Sequence, residues 1–260
     1  MAQVRVETSD AGVRTVCIDR EPRRNALDRA TLAELEAAFA AASTDPRVRV
    51  LVLRGAGDRA FCAGADLSEL RAHASIEESR EHFGLVARVI EAMQRAPVPV
   101  IARVAGYALA GGCGLAAAAD LTIAAHSARF GLPEIAIGLL PLMVSAPIYR
   151  ALGSRKALLD LVLTGREVAA EEARELGLAT RVVPDPELDR EVAALCERFV
   201  SLSPAALRLG KEAVYAICEM ETGAAMRYLR ELIVLVSRTE DAQEGIAAFF
   251  EKRRPAWKGR

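Results

Sequence analysis

Residues Gly106–Asp120 read GYALAGGCGLAAAAD. The stretch carries no charge until its last residue, and it follows the apolar run VPVIARVAG at Val98–Gly106. That run reads as a strand buried on both faces, and the alanines after the glycines read as a helix. A strand that hands over to a helix is a unit of an α/β fold. It also leaves the first N–H groups of the helix pointing outward without partners. Small residues at that point let another molecule approach the backbone closely.

A second loop of the same kind, CAGADL at Cys62–Leu67, follows the apolar strand VRVLVLRG at Val48–Gly55. One free N–H holds an anion weakly. Two aimed at one point make an oxyanion hole, among the larger single contributions to catalysis. The same small residues also suit tight helix packing, and their pattern alone leaves both readings open. It is neither GxGxxG nor GxxxxGK[ST], so a nucleotide phosphate loop is not supported.

Outward from these loops, the chain alternates strands and helices. VRVET (Val4–Thr8) and VRTVCID (Val13–Asp19) read as strands around a turn at Asp10-Ala11-Gly12. Leu27–Ser43 reads as an amphipathic helix with Asp28 as its N-cap and Asp45-Pro46 as its stop. A helix is expected from about Ile76 to Arg95, a strand at Leu121–Ala125, and a short strand or loop over Arg129–Gly138. From Ser154 onward the pattern is mostly helical. The expectation is an α/β core with a helical C-terminal region and no short-period internal repeat.

Composition removes several classes of function. The chain has 260 residues, with Lys+Arg 34 against Asp+Glu 35 and a net charge of -1. That argues against a general nucleic-acid binder. Its 5 cysteines are scattered with no CxxC spacing, so neither a zinc site nor a disulfide framework is expected, and no metal is. MAQVRVETSD at the N-terminus lacks an apolar signal region. No run approaches the roughly 18 apolar residues of a membrane span. A reduced, cytoplasmic, membrane-free protein is expected.

Six segments stand in a recognisable order and spacing. They are RRNAL (Arg23–Leu27), AFCAGADL (Ala60–Leu67), GYALAGGCGLAAAADLTIAA (Gly106–Ala125), FGLPEIAIGLLP (Phe130–Pro141), LTGREVAAEEARELGLATRVV (Leu163–Val183) and AFFEKRRPAW (Ala248–Trp257). Together they resemble the crotonase superfamily, the enoyl-CoA hydratase/isomerase family, over essentially the whole chain. The resemblance implies a crotonase-like spiral of repeated ββα units over residues 1–200 and a helical trimerisation region over 201–260. It implies a homotrimer or hexamer and an acyl-CoA thioester substrate. Coenzyme A is then part of the substrate, and no separate cofactor is implied.

By motif position, the oxyanion hole falls on the backbone N–H groups of Ala65 and Gly111. Coenzyme A would lie along Arg24, Ala63, Asp66 and Leu67, with Gly112 and Leu142 lining the site and Lys252 reaching a phosphate. Taken alone, Arg23, Arg24 and Lys252 read as solvated surface charges. Asp66 and Asp120 read mainly as structural acids. His73 and His82 are expected to be exposed. His126 could face a pocket, but no Ser or Cys partner for a triad is evident.

Two departures from the hydratase pattern bear on the chemistry. Hydratases of this family carry one glutamate at the end of a GGGCE motif and a second after the next strand. Here the first position is Gly114, which cannot titrate, and the second is kept as Glu134. The family's GxxPGAGG turn is GLLPLMVSA, with Leu142 at the first glycine position and Met143 beside it. Burial among Leu139, Leu140, Leu142 and Met143 is expected to raise the pKa of Glu134 toward the operating pH. One carboxylate beside an oxyanion hole suits Δ3,Δ2-enoyl-CoA isomerisation, which uses no water. The alternatives are hydration through a non-standard second group, decarboxylation of a malonyl-type acyl-CoA, and a catalytically weak acyl-CoA-binding protein.

Overall fold

The computed structural model describes residues 2–72 and 75–260. It opens with an antiparallel hairpin of β1 (Val4–Thr8) and β2 (Val13–Ile18), paired from Val4↔Ile18 to Thr8↔Arg14. Gly12, with φ 85°, turns the chain and donates its N–H to the Ser9 carbonyl at 2.9 Å. Helix α1 (Arg29–Thr44) starts where Asp28 accepts the Thr31 N–H at 2.8 Å, satisfying one of the free amides of its first turn. Its buried residues Leu32, Leu35, Phe39 and Ala42 recur at helical spacing and form the face turned to the core.

Three coils then follow one plan: a strand in a large sheet, a strand in a small sheet, and one or more helices. The first is β3 (Val50–Gly55), β4 (Ala60–Cys62), α2 (Leu67–Ala72) and α3 (Ile76–Arg95). The second is β5 (Val100–Val104), β6 (Tyr107–Leu109) and α4 (Gly111–Ala118). The third is β7 (Leu121–Ala125), β8 (Arg129–Gly131), a 3-10 turn at Pro133–Ile137, α5 (Leu142–Leu152) and α6 (Arg155–Thr164). This is a spiral of ββα units, built without an obvious sequence repeat. Residues β9 (Glu167–Ala169), α7 (Ala170–Leu176), β10 (Arg181–Val183) and α8 (Leu188–Val200) close both sheets. Helices α9 (Pro204–Ile217), α10 (Thr222–Val236) and α11 (Glu240–Glu251) complete the chain.

The large sheet runs β1-β2-β3-β5-β7-β10 and is parallel except for β1. Every residue of β5 is buried. That is why this strand is continuously apolar apart from Arg103, whose guanidinium is taken up by Asp58 and Asp189. One face packs on α1 and α3 through Leu51, Leu53, Phe39 and Val89, and the other on Leu188, Val192 and Leu195 of α8. The small sheet runs β4-β6-β8-β9, with β4, β6 and β8 parallel.

The C-terminal helices are fastened by buried polar groups. Lys211 of α9 donates to the carbonyls of Met93 and Val98, at and just beyond the end of α3, at 3.1 and 3.2 Å, and pairs with Asp120 at 2.8 Å. Tyr215 donates to the same carboxylate at 2.9 Å. Asp241 accepts from the Ser203 hydroxyl at 2.6 Å and from the amides of Lys258 and Gly259 at 2.7 and 3.0 Å. Apolar residues on α10 and α11, among them Met226, Ile233, Leu235, Phe249 and Phe250, face outward. Among the described residues no helix is long and apolar enough to cross a membrane.

Candidate active site

Three neighbouring strands of the small sheet, β4, β6 and β8, end close to one another. After β4 comes the loop with Ala65, after β6 the loop with Gly111, and after β8 the turn with Glu134. Ahead of the first loop, the connection from β3 into β4 is held by Asn25. This residue is 1% exposed and has φ 56°, a left-handed value asparagine tolerates better than most residues. Its side-chain amide donates to the carbonyls of Ala56 and Ala60 at 3.0 and 2.7 Å, and its oxygen accepts the Arg20 amide at 3.1 Å. The loop itself is stitched to RRNAL by Ala63 N–H to Arg24 O at 3.1 Å, Leu27 N–H to Gly64 O at 2.8 Å and Asp66 N–H to Leu27 O at 2.8 Å.

Ala65 and Gly111 are brought together. A methyl built on Gly111 would lie 3.9 Å from the Ala65 nitrogen and 3.5 Å from the Gly64 α-carbon. Among the described residues neither the Ala65 nor the Gly111 amide donates to a backbone oxygen. Gly111 is the first residue of α4, so its N–H is one of the groups a helix start leaves open. Gly112 is buried, and a side chain there would collide with the Cys62 carbonyl. The glycines therefore serve both readings left open by the sequence. They allow α4 to pack closely on β4, and they leave two unpaired amides side by side.

Glu134 lies in the Pro133–Ile137 turn, and its Oε2 is buried without a hydrogen-bond partner among the described residues. Burial pushes its pKa up. Burial pushes the Cys113 thiol on α4 up to about 12, and the Glu134 charge acts in the same direction. The burial of Glu134 does not come from the leucine collar the sequence suggests. Leu139, Leu140, Leu142 and Met143 are all exposed, at 43%, 45%, 71% and 39%. They stand at the surface where the turn passes into α5.

Gly114 lies one position beyond Cys113 and is buried. A methyl there would come under 3.0 Å from both Cβ and Cγ1 of Val144, itself 4% exposed on α5. The place of a side chain at 114 is thus filled from the facing helix. Sequence reasoning missed Val144. A lone valine at a buried helix position carries no signal until the glycine it fits is known.

The remaining expectations sort as follows. Arg24 is exposed, and its carbonyl, not its guanidinium, joins the two loops. Asp66 is consumed by its own loop, accepting from Ser68 Oγ at 2.5 Å and Arg20 at 3.0 Å, which hold its pKa down. Leu67 is exposed at the start of α2. Lys252 is exposed at the left-handed end of α11 and has no ion-pair partner among the described residues. Asp120 is the structural acid expected. His126 is exposed. His82 is not exposed as expected but 1% exposed, because it falls on the core-facing side of α3 with Leu85, Val86 and Val89. His73 lies outside the described residues. Among the described residues no group of three His, Cys, Asp or Glu is placed to hold a metal ion.

Known proteins resemble this chain over nearly its whole length. A family model described as enoyl-CoA hydratase/isomerase matches residues 8–260. A protein of Mycobacterium bovis named probable enoyl-CoA hydratase echA8 is 38% identical over 247 residues, 95% of this chain and 94% of that protein. Crotonyl-CoA hydratase of Syntrophomonas wolfei is 38% identical over 240 residues, covering 91% of each chain. The crystal structure of an enoyl-CoA hydratase from Mycobacterium smegmatis superposes with a TM-score of 0.95 at 38% identity, covering 99% of both chains.

Proposed function

The chain belongs to the enoyl-CoA hydratase/isomerase family, and on that premise we propose that it moves a proton on an acyl-CoA thioester through one carboxylate, Glu134. The observation that carries this reading is the filled space at Gly114. At Gly114, where a second acid would have to stand, Val144 fills the volume.

The thioester carbonyl oxygen accepts from the N–H groups of Ala65 and Gly111. As a proton leaves C2, negative charge moves onto that oxygen, and the two donors stabilise it. The positive end of the α4 dipole acts in the same sense. Glu134 takes the C2 proton of a 3-enoyl thioester and returns it to C4. The double bond moves from C3–C4 to C2–C3 and no water is consumed. Burial favours the neutral acid, so the carboxylate that remains at working pH is a stronger base than an exposed glutamate. Arg24, Ala63, Leu67, Gly112 and Lys252 border the coenzyme A portion, and Leu142 the acyl portion. The outward apolar residues of α10 and α11 fit assembly as a homotrimer or hexamer through residues 201–260.

Hydration is the second reading, favoured by the printed names of the relatives, which are hydratases. It requires a group other than residue 114 to hold the water. The experiment offers a 3-enoyl-CoA and a 2-enoyl-CoA to the wild type and to Glu134→Ala, with products separated by mass and retention. Conversion of the 3-enoyl to the 2-enoyl species, reduced about 10²–10⁴-fold in the variant, is expected. Rapid gain of water by the 2-enoyl species refutes isomerisation as the main activity. Turnover of neither turns attention to malonyl-type thioesters or to binding alone.

A further inference from the structure

Ala110, the residue before α4, has φ 52° and ψ −121°. Arg24 and Lys252 also have positive φ, but their ψ values of 35° and 36° place them in the ordinary left-handed region. The Ala110 combination is one that glycine adopts freely and a Cβ opposes. The surroundings hold it there. Its N–H donates to the Gly131 carbonyl at 2.9 Å, and its carbonyl accepts the Gly114 N–H at 3.1 Å. Its methyl faces Gly64, where an added methyl would come 2.5 Å from the Ala110 Cβ.

Gly64 and Ala110 hold corresponding places. Each immediately precedes one of the two unpaired amides. Because the peptide unit is planar, the ψ of each sets the direction of the N–H that follows. We infer that the Ala110 methyl, lodged against the α-carbon of Gly64, is a spacer that fixes the separation and aim of the Ala65 and Gly111 N–H groups. Ala110 is then a positioning residue, acting through the amides and touching no substrate atom. The inference rests on the reading of those amides as the carbonyl-binding pair.

Ala110→Gly deletes one methyl and releases the opposed backbone. Two effects of opposite sign are expected. The thermal midpoint holds or rises, while kcat and kcat/KM fall together by about 10- to 100-fold, the scale expected when reacting groups are misplaced by roughly an ångström. KM stays near the wild-type value, as for an interaction made only in the transition state. Ala110→Ser keeps the Cβ and retains wild-type kcat. The second readout is the infrared stretch of a carbon-13-labelled thioester carbonyl in hexanoyl-CoA, a saturated and unreactive probe. Binding to the wild type lowers its frequency, and Ala110→Gly shows a smaller lowering. If the wild type itself gives no lowering, the carbonyl-binding pair is refuted, and the spacer with it. If the wild-type lowering survives intact in Ala110→Gly with kcat unchanged, the spacer is overturned and the pair stands. A fall in thermal midpoint with kcat unchanged makes the methyl a packing group only, which also overturns the inference.

Discussion

Gly114 lies within α4, where replacing glycine by alanine ordinarily gains about 1 kcal/mol of stability. Here a loss is expected. The new methyl would lie under 3.0 Å from two Val144 carbons and 3.4 Å from a third, the α-carbon. Carbon atoms rest about 3.5–4.0 Å apart. Rotating the valine does not help, because one of the two closest atoms is its Cβ, and a β-branched side chain in a helix has little χ1 freedom anyway. The helices α4 and α5 must move apart, and overpacking of this kind costs about 1–3 kcal/mol. Val144→Gly is itself destabilising, since it removes a buried side chain, yet it also removes the two atoms that would come under 3.0 Å from the new methyl. In the double variant Gly114→Ala/Val144→Gly the two costs should therefore fail to add, with a coupling of about 0.5–3 kcal/mol in the direction of rescue. Urea midpoints at constant m-value read all four proteins. A Gly114→Ala protein at least as stable as the wild type refutes the reasoning, and so do strictly additive costs. Either would mean that the space beside Gly114 is open after all.

A carboxylate can be admitted there by the same logic: Gly114→Glu alone should fold poorly, whereas Gly114→Glu/Val144→Gly should add water to a 2-enoyl-CoA measurably faster than the wild type. Burial raises the pKa of Glu134, so kcat/KM for proton transfer should fall as pH drops through a midpoint above the ordinary glutamate value of 4.5. That limb should vanish in Glu134→Gln along with most activity, and a midpoint at or below 4.5 contradicts it. Asp241 is held below its ordinary 3.8 despite the upward pull of burial, because Ser203 and the amides of Lys258, Gly259 and Ala205 bond the charged form. Its contribution is complete above 3.8 and is lost as pH falls through the lower folded value. Asp241→Asn should therefore cost about 1–3 kcal/mol at neutral pH, and the difference from wild type should shrink in acid unfolding monitored by circular dichroism. Asn25→Ala should cost a similar amount, about 1–3 kcal/mol, by stripping donors from two buried carbonyls. It should also lower kcat by loosening the start of β4, which leads into the Ala65 loop, and unchanged activity would show that the loop does not depend on this anchor.

Much of this arrangement is legible in the sequence because its causes are local. The helix starting after Asp28 and the turn at Gly12 follow from short-range chemistry, and both appear where the pattern places them. The three-residue strands β4, β6 and β9 were not legible. Such strands are too short to show a period, and pairing within the small sheet specifies them. His82 reads as a charged-surface histidine from its neighbours, yet the face of α3 it occupies is set by Leu85 and Val89. The same limit explains the collar. Leu139 and Leu142 look like core residues in the sequence, but the path of the chain carries them outside the spiral. Gly114 was legible as an absence, whereas Val144, which makes that absence structural, depends on two helices meeting in space.

The coiled plan also divides the site between separate parts of the chain. The two amides belong to the first and second coils and the carboxylate to the third. Natural or engineered insertions in the helical part of a coil should be tolerated, since they leave the strand ends where they are. A single residue gained or lost between any of β4, β6 or β8 and the group that follows it should silence the site without unfolding the spiral.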